Sequence, residues 1–122
     1  MKLEVGMYVI TTDRKQIGKI IGFCECEMCK ERGFCEPVID NPEIFITISD
    51  KERKFHGYKF YDTIMDLLEV GDYVDRLRVV DRDENYIVLE TFNERIFVYK
   101  NEPIKSIVTK EQFESIKYSL EG

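Results

Sequence analysis

Glu4-Val5-Gly6-Met7-Tyr8-Val9 returns sixty-five residues later as Glu69-Val70-Gly71-Asp72-Tyr73-Val74. Five of the six positions are identical, and each copy opens a stretch rich in β-branched and aromatic residues. Valine and tyrosine suit strands, while the glycine supplies an unusual dihedral or a close packing point. The repeat predicts two small β-units in tandem. The alternative is a chance match inside one larger sheet.

Working outward from the first copy, Tyr8-Val9-Ile10-Thr11-Thr12 predicts a strand and Asp13 to Gln16 a polar turn. Ile17 to Phe23 is its hairpin partner, where Gly18 and Gly22 suit a bend or bulge. Ile44 to Ile48 alternates as a strand does, and Ile64, Leu67 and Leu68 share a helical face within 62–68. After the second copy, strands are expected over 73–80, 86–91 and 95–99, separated by polar turns, and Asn101-Glu102-Pro103 breaks the chain before Ile104 to Val108. Thr109 and Gln112 form a capping-box pattern that opens a terminal helix, with Phe113, Ile116 and Leu120 on its docking side. No βα crossover interrupts this order.

The expected fold is therefore all-β with short helices: two tandem small SH3-like β-barrel units packed together. The first spans 1–61 with a cysteine-rich insertion at 24–42, residues 62–68 form a bridging helix, and the second spans 69–122. A unit of about 55 residues is marginal alone, so the two are expected to share a core.

The chain has 122 residues, 43% hydrophobic and 34% charged, which argues against disorder. Its net charge of -6 disfavours long-range attraction to nucleic acid without excluding it. No apolar run reaches the about 18 to 20 residues that a membrane helix needs. Glu4 and Gly6 interrupt the opening before the apolar core of a signal peptide forms, so a reducing cytoplasm is the expected setting. There, a dense cysteine pattern more often holds metal than disulfides.

The string Asp66 to Val74, with its following hairpin and Ile104 to Phe113, resembles a family of small uncharacterised proteins encoded by phages and prophages of Gram-positive bacteria. The resemblance covers about the last 60 residues well and the opening hexapeptide loosely. It implies an accessory protein of a mobile element in a bacterial host cell, one that engages a host protein or counters host defence. Its motifs are structural, so it carries over no site residue, and the cysteine segment departs from it.

Cys24, Cys26, Cys29 and Cys35 have the spacing C-x-C-x2-C-x5-C. A C-x2-C pair lets a tight turn aim two thiolates at one ion, and C-x-C does so at the end of a strand. The pattern predicts one structural Zn2+, with Lys30 and Arg32 offsetting the charge of four thiolates. Disulfide or redox chemistry and free thiols remain alternatives. Residues 24–42 otherwise show no periodicity, and metal is the expected source of their order.

No enzyme site is legible. His56 stands alone, the Asp81, Asp83, Glu84 cluster lacks the spacing of a calcium loop, and neither a dinucleotide nor a P-loop motif occurs. A binding module is favoured, with a host protein as partner. The expected surface is the cysteine loop with Lys51, Arg53, Lys54, Phe55, Tyr58, Lys59 and Tyr61, a mixture of charge and aromatic rings suited to interfaces. The same residues suit a nucleic-acid module, in which cations meet phosphates and rings stack on bases. Alternatively, the rings seal the junction between the units.

Overall fold

The structure, a computed structural model, describes residues 2–116, and its chain divides into two compact units, Met1–Thr63 and Ile64–Gly122. In the first, strands β1 (Tyr8–Thr11), β2 (Ile17–Phe23), β3 (Pro37–Ile39) and β4 (Tyr58–Tyr61) form an antiparallel sheet in the order β3-β2-β1-β4. Helix α1 (Glu27–Arg32) lies between β2 and β3, and α2 (Ile48–Glu52) between β3 and β4. The second unit opens on α3 (Ile64–Leu67) and contains β5 (Tyr73–Val74), β6 (Leu77–Arg82), β7 (Tyr86–Glu90), β8 (Arg95–Tyr99) and β9 (Ile107–Val108). Those five strands are ordered β8-β7-β6-β5-β9, and helix α4 (Lys110–Ile116) follows.

The repeated hexapeptide makes the same structure twice. In each copy its first four residues form a turn: Met7 N–H donates to Glu4 C=O at 3.2 Å, and Asp72 N–H to Glu69 C=O at 3.1 Å. The third residue of each turn is glycine, Gly6 at φ 97° and Gly71 at φ 100°, as a type II turn requires. Gly6 N–H then donates to Ile20 C=O at 2.8 Å, and Gly71 N–H to Val79 C=O at 2.9 Å. The likeness runs past the motif, because the ladder register breaks just after Ile20 in β2 and just after Val79 in β6. In both units the last strand returns beside the first, β4 on β1 and β9 on β5.

Neither sheet closes, which overturns the expected SH3-like barrels. Among the described residues, β3 and β4 are the edges of one sheet and β8 and β9 the edges of the other. Closure needs the outer strands to pair over a matched, staggered register. Here β3 has three residues and β9 only two, too few to supply one.

Three further expectations change. Residues 44–47 form no strand; Thr47 and Asp50 make a capping box that starts α2, with Thr47 N–H donating to Asp50 Oδ2 at 2.7 Å. Local capping outcompetes the alternating pattern there, although Ile44 and Ile46 are buried and Phe45 is exposed as alternation implies. The single strand expected over 73–80 is a hairpin, turned at Asp75 and Arg76 with φ of 48° and 73°, a type I′ geometry. Finally, residues 24–42 are not irregular throughout. Helix α1 ends at Gly33 in the left-handed region, and β3 pairs with β2. Asp40 Oδ1 accepts from Lys19 N–H at 2.8 Å, and Asn41 Nδ2 donates to Ile17 C=O at 2.9 Å.

Each unit has its own buried cluster. Val9, Ile44 and Ile46 are packed by Phe34, Ile39, Phe55, Tyr58 and Phe60 in the first. Met65, Leu68, Val74, Val79, Ile87 and Leu89 form the second. Met65 rather than Ile64 enters that core, since a four-residue helix does not sustain a long-period stripe. The Thr109–Gln112 capping box is present in both directions, at 2.9 and 3.0 Å. Phe113 stacks on Tyr73 at 4.9 Å between ring centres. The side chain of Ile116 and all of Leu120 lie outside the described residues.

Candidate metal centre

Strand β2 runs out at Phe23, and the ladder is carried one step further by Cys24 N–H donating to Glu36 C=O at 2.8 Å. The chain then turns into α1, with Cys26 at its N-cap and Cys29 inside its first turns. One strand end and one helix start thus bring three thiols together. The Sγ atoms of Cys24, Cys26 and Cys29 all lie within 4.8 Å of one another. Tetrahedral thiolates about 2.3 Å from a zinc ion stand about 3.8 Å apart, so the trio is spaced for one metal ion. Cys29 is buried, Cys24 half-buried and Cys26 exposed. The group does not extend to Cys35, which is half-buried on the return to β3. All four cysteines are free thiols.

The trio is also electrostatically uneven. Cys26 accepts from the Cys29 amide and then from the Cys24 and Cys29 thiols, which draws its pKa from the ordinary 9.0 to about 7. For Cys29 the Glu36 amide acts downward, but the thiol bond to Cys26, burial and the neighbouring Cys24 sulfur outweigh it and push the pKa up to about 11. One proton leaves easily and the next is held, as in any cluster that would gather several negative charges. A bound cation removes that conflict, because its charge favours every thiolate at once. The donor set fits a thiophilic divalent ion. Lys30 and Arg32 stand in the last turn of α1, where positive charge also suits the helix C-terminus.

The second predicted cluster is partly gathered and partly dispersed. Lys54, Phe55, Tyr58, Lys59 and Tyr61, joined by Phe60, line one open cavity of about 270 Å3. Lys54 and Phe55 both adopt positive φ, 56° and 55°, followed by Gly57 at 97°, and this tight reversal leads into β4. Phe55 meets Phe60 edge-on at 5.2 Å and Phe34 at 6.4 Å. Tyr58 donates from its hydroxyl to Phe45 C=O at 3.3 Å, and burial, with Asp50 close by, raises its pKa. These contacts make Phe55, Tyr58 and Phe60 part of the first unit's own core wall.

Lys51 and Arg53 do not line this cavity. Lys51 Nζ sits over the Phe34 ring at 5.1 Å, and Arg53 pairs with Asp50 at 3.6 Å. His56 is exposed and enters no metal-ligating group among the described residues. Sequence reasoning missed Phe34, and it placed Phe60 beside the basic run without counting it in the surface. The alternation Tyr58-x-Phe60, which lies within β4, was the available signal for the latter.

No helix of the described residues is long and apolar enough to cross a membrane. Comparison with protein-family models, with curated proteins and with solved structures finds no match. The likeness to phage and prophage proteins therefore gains no support.

Proposed function

We propose that the protein is a non-catalytic binding module whose first unit takes an acidic segment of a partner protein. The observation that carries this reading is the cavity in which two exposed lysines, Lys54 and Lys59, stand among four aromatic rings. In a chain of net charge -6, a cationic and aromatic concavity matches a negatively charged, ring-bearing segment. The thiol cluster serves this function indirectly: Zn2+ held by Cys24, Cys26 and Cys29, with Cys35 drawn in as fourth ligand, stiffens the loop between β2 and β3. Four sulfurs close the coordination sphere, so the ion is structural.

The test is a titration with a labelled Asp/Glu-rich peptide containing a single Phe, beside a single-stranded oligonucleotide of equal charge. Binding of the peptide is expected, with amide shifts confined to 51–61. It is lost on Lys54→Glu and retained on Asp83→Lys, each checked for unchanged melting. Binding of the oligonucleotide alone, with strong salt dependence, identifies a nucleic-acid module instead. Loss only with Asp83→Lys moves the function to the second unit.

A further inference from the structure

The outermost strand of the five-stranded sheet reads Glu94-Arg95-Ile96-Phe97-Val98-Tyr99-Lys100, with β8 at its centre. Its inner edge is fully used by β7 over a register without breaks, Glu90 opposite Arg95 through Tyr86 opposite Tyr99. Thr91 N–H donates to Glu94 C=O, and Lys100 N–H to Asn85 C=O, each at 2.9 Å. Hydrogen-bonding residues alternate along an antiparallel strand. Hence 94, 96, 98 and 100 turn their backbone groups toward β7, while Arg95, Phe97 and Tyr99 turn theirs outward. Among the described residues no strand pairs on that side.

Such an edge is usually guarded by a proline, charged side chains, a bulge, shortness or inward charge, and of these β8 carries the single charge of Arg95. The opposite edge, β9, is guarded by having two residues. Strand β8 has five, with no proline, glycine or bulge, and it carries large exposed side chains: Phe97 is 51% and Tyr99 50% exposed. Tyr86 continues this aromatic strip on the neighbouring strand, 5.5 Å from Phe97 and 5.9 Å from Tyr99 between ring centres.

We propose that β8 pairs with β8 of a second copy of this chain, antiparallel about a two-fold axis at Phe97. The sequence is complementary to its own reverse. In that register Glu94 faces Lys100 of the other copy, Arg95 faces Tyr99, Ile96 faces Val98, and Phe97 faces itself. Charges meet opposites at both ends, the guanidinium lies by a ring face, and apolar residues meet in the middle. The backbone agrees, because the outward Phe97 amide donates to the Phe97 carbonyl of the other copy and the Tyr99 amide to the Arg95 carbonyl. Lys100 is free to turn to this role, since its pairing with Asp66 is a 3.6 Å contact between exposed groups. A strand of another protein would satisfy the backbone alone; the matched ends favour a second copy.

Sedimentation equilibrium from about 10 μM to about 1 mM tests this, with hydrogen exchange at both extremes. The mass is expected to climb from 14.5 kDa toward twice that value, while the amides of Arg95, Phe97 and Tyr99 gain protection. Phe97→Lys, with unchanged melting, holds the mass at one chain. Glu94→Lys sets like charges across both ends and weakens association at least about tenfold, and adding Lys100→Glu recovers it. A single-chain mass at every concentration overturns the proposal. So does a dimer whose edge amides stay unprotected, or one indifferent to these substitutions.

Discussion

The two copies of the hexapeptide differ at one position, and that residue shows how a single side chain adapts a shared turn. At position 72 the carboxylate is fully buried; its Oδ2 accepts from Glu69 N–H at 2.8 Å and its Oδ1 from Lys110 N–H at 3.0 Å. It therefore joins the turn before β5 to the start of α4. In the first copy Met7 holds the same place, and its sulfur accepts from Glu4 N–H at 3.3 Å, a weaker bond of the same pattern. There is no terminal helix in the first unit to bind, and no second acceptor is needed. Replacing Asp72 by alanine leaves two amide donors short of an acceptor, at a cost of about 1–3 kcal/mol each. Urea unfolding at unchanged m-value should read that loss as a lower midpoint. A shift under about 0.5 kcal/mol would mean that water replaces the carboxylate at no cost.

At the scale of elements, what was legible in the sequence depended on whether local and long-range preferences agree. The hairpin of β1 and β2, the strands β7 and β8 and the Thr109–Gln112 cap were readable because propensity, turn chemistry and pairing point the same way. Helix α2 was not, because Thr47 and Asp50 cap it within a run that alternates like a strand. Nor was the turn at Asp75 and Arg76, which lacks the glycine that usually marks positive φ. The cysteine trio was legible from spacing alone, whereas the separation of Cys35 depends on how α1 and β3 are placed. The glycine repeat gives an element-scale prediction. Gly6→Ala meets no atom within 4 Å, so it measures the strain of φ 97° alone, about 1–2 kcal/mol. Gly71→Ala carries the same strain and also sets its Cβ 3.2 Å from Lys110 Cδ, so it should be the more destabilising of the two. Equal thermal shifts would show that the lysine simply moves aside. Gly18→Ala has a different basis, since its Cβ would run into Ile39 Cγ2 at the end of β3, the strand paired beside β2.

For the whole molecule, the chemistry is divided unequally between two versions of one β-unit. The first holds all four cysteines and the basic, aromatic cavity; the second holds helix α4, tied to its first turn through Asp72, and the open edge of β8. This division fixes where a metal ion should be felt. Reduced protein supplied with Zn2+ is expected to bind close to one equivalent, read by elemental analysis after gel filtration. Cys29→Ser removes the buried donor of the trio and should abolish binding. Cys35→Ser should weaken it at least about tenfold, equivalent to 1.4 kcal/mol, if that residue closes the coordination sphere. Because α1, β3 and the Asp40 and Asn41 bonds already order the loop, chelation should not unfold it. It should instead speed amide exchange over 24–36 while leaving Ile87 and Leu89 in the second core as slow as before. Two results would count against this account: four thiols that react freely with metal present, or loss of protection in β7 as great as that in the cysteine loop.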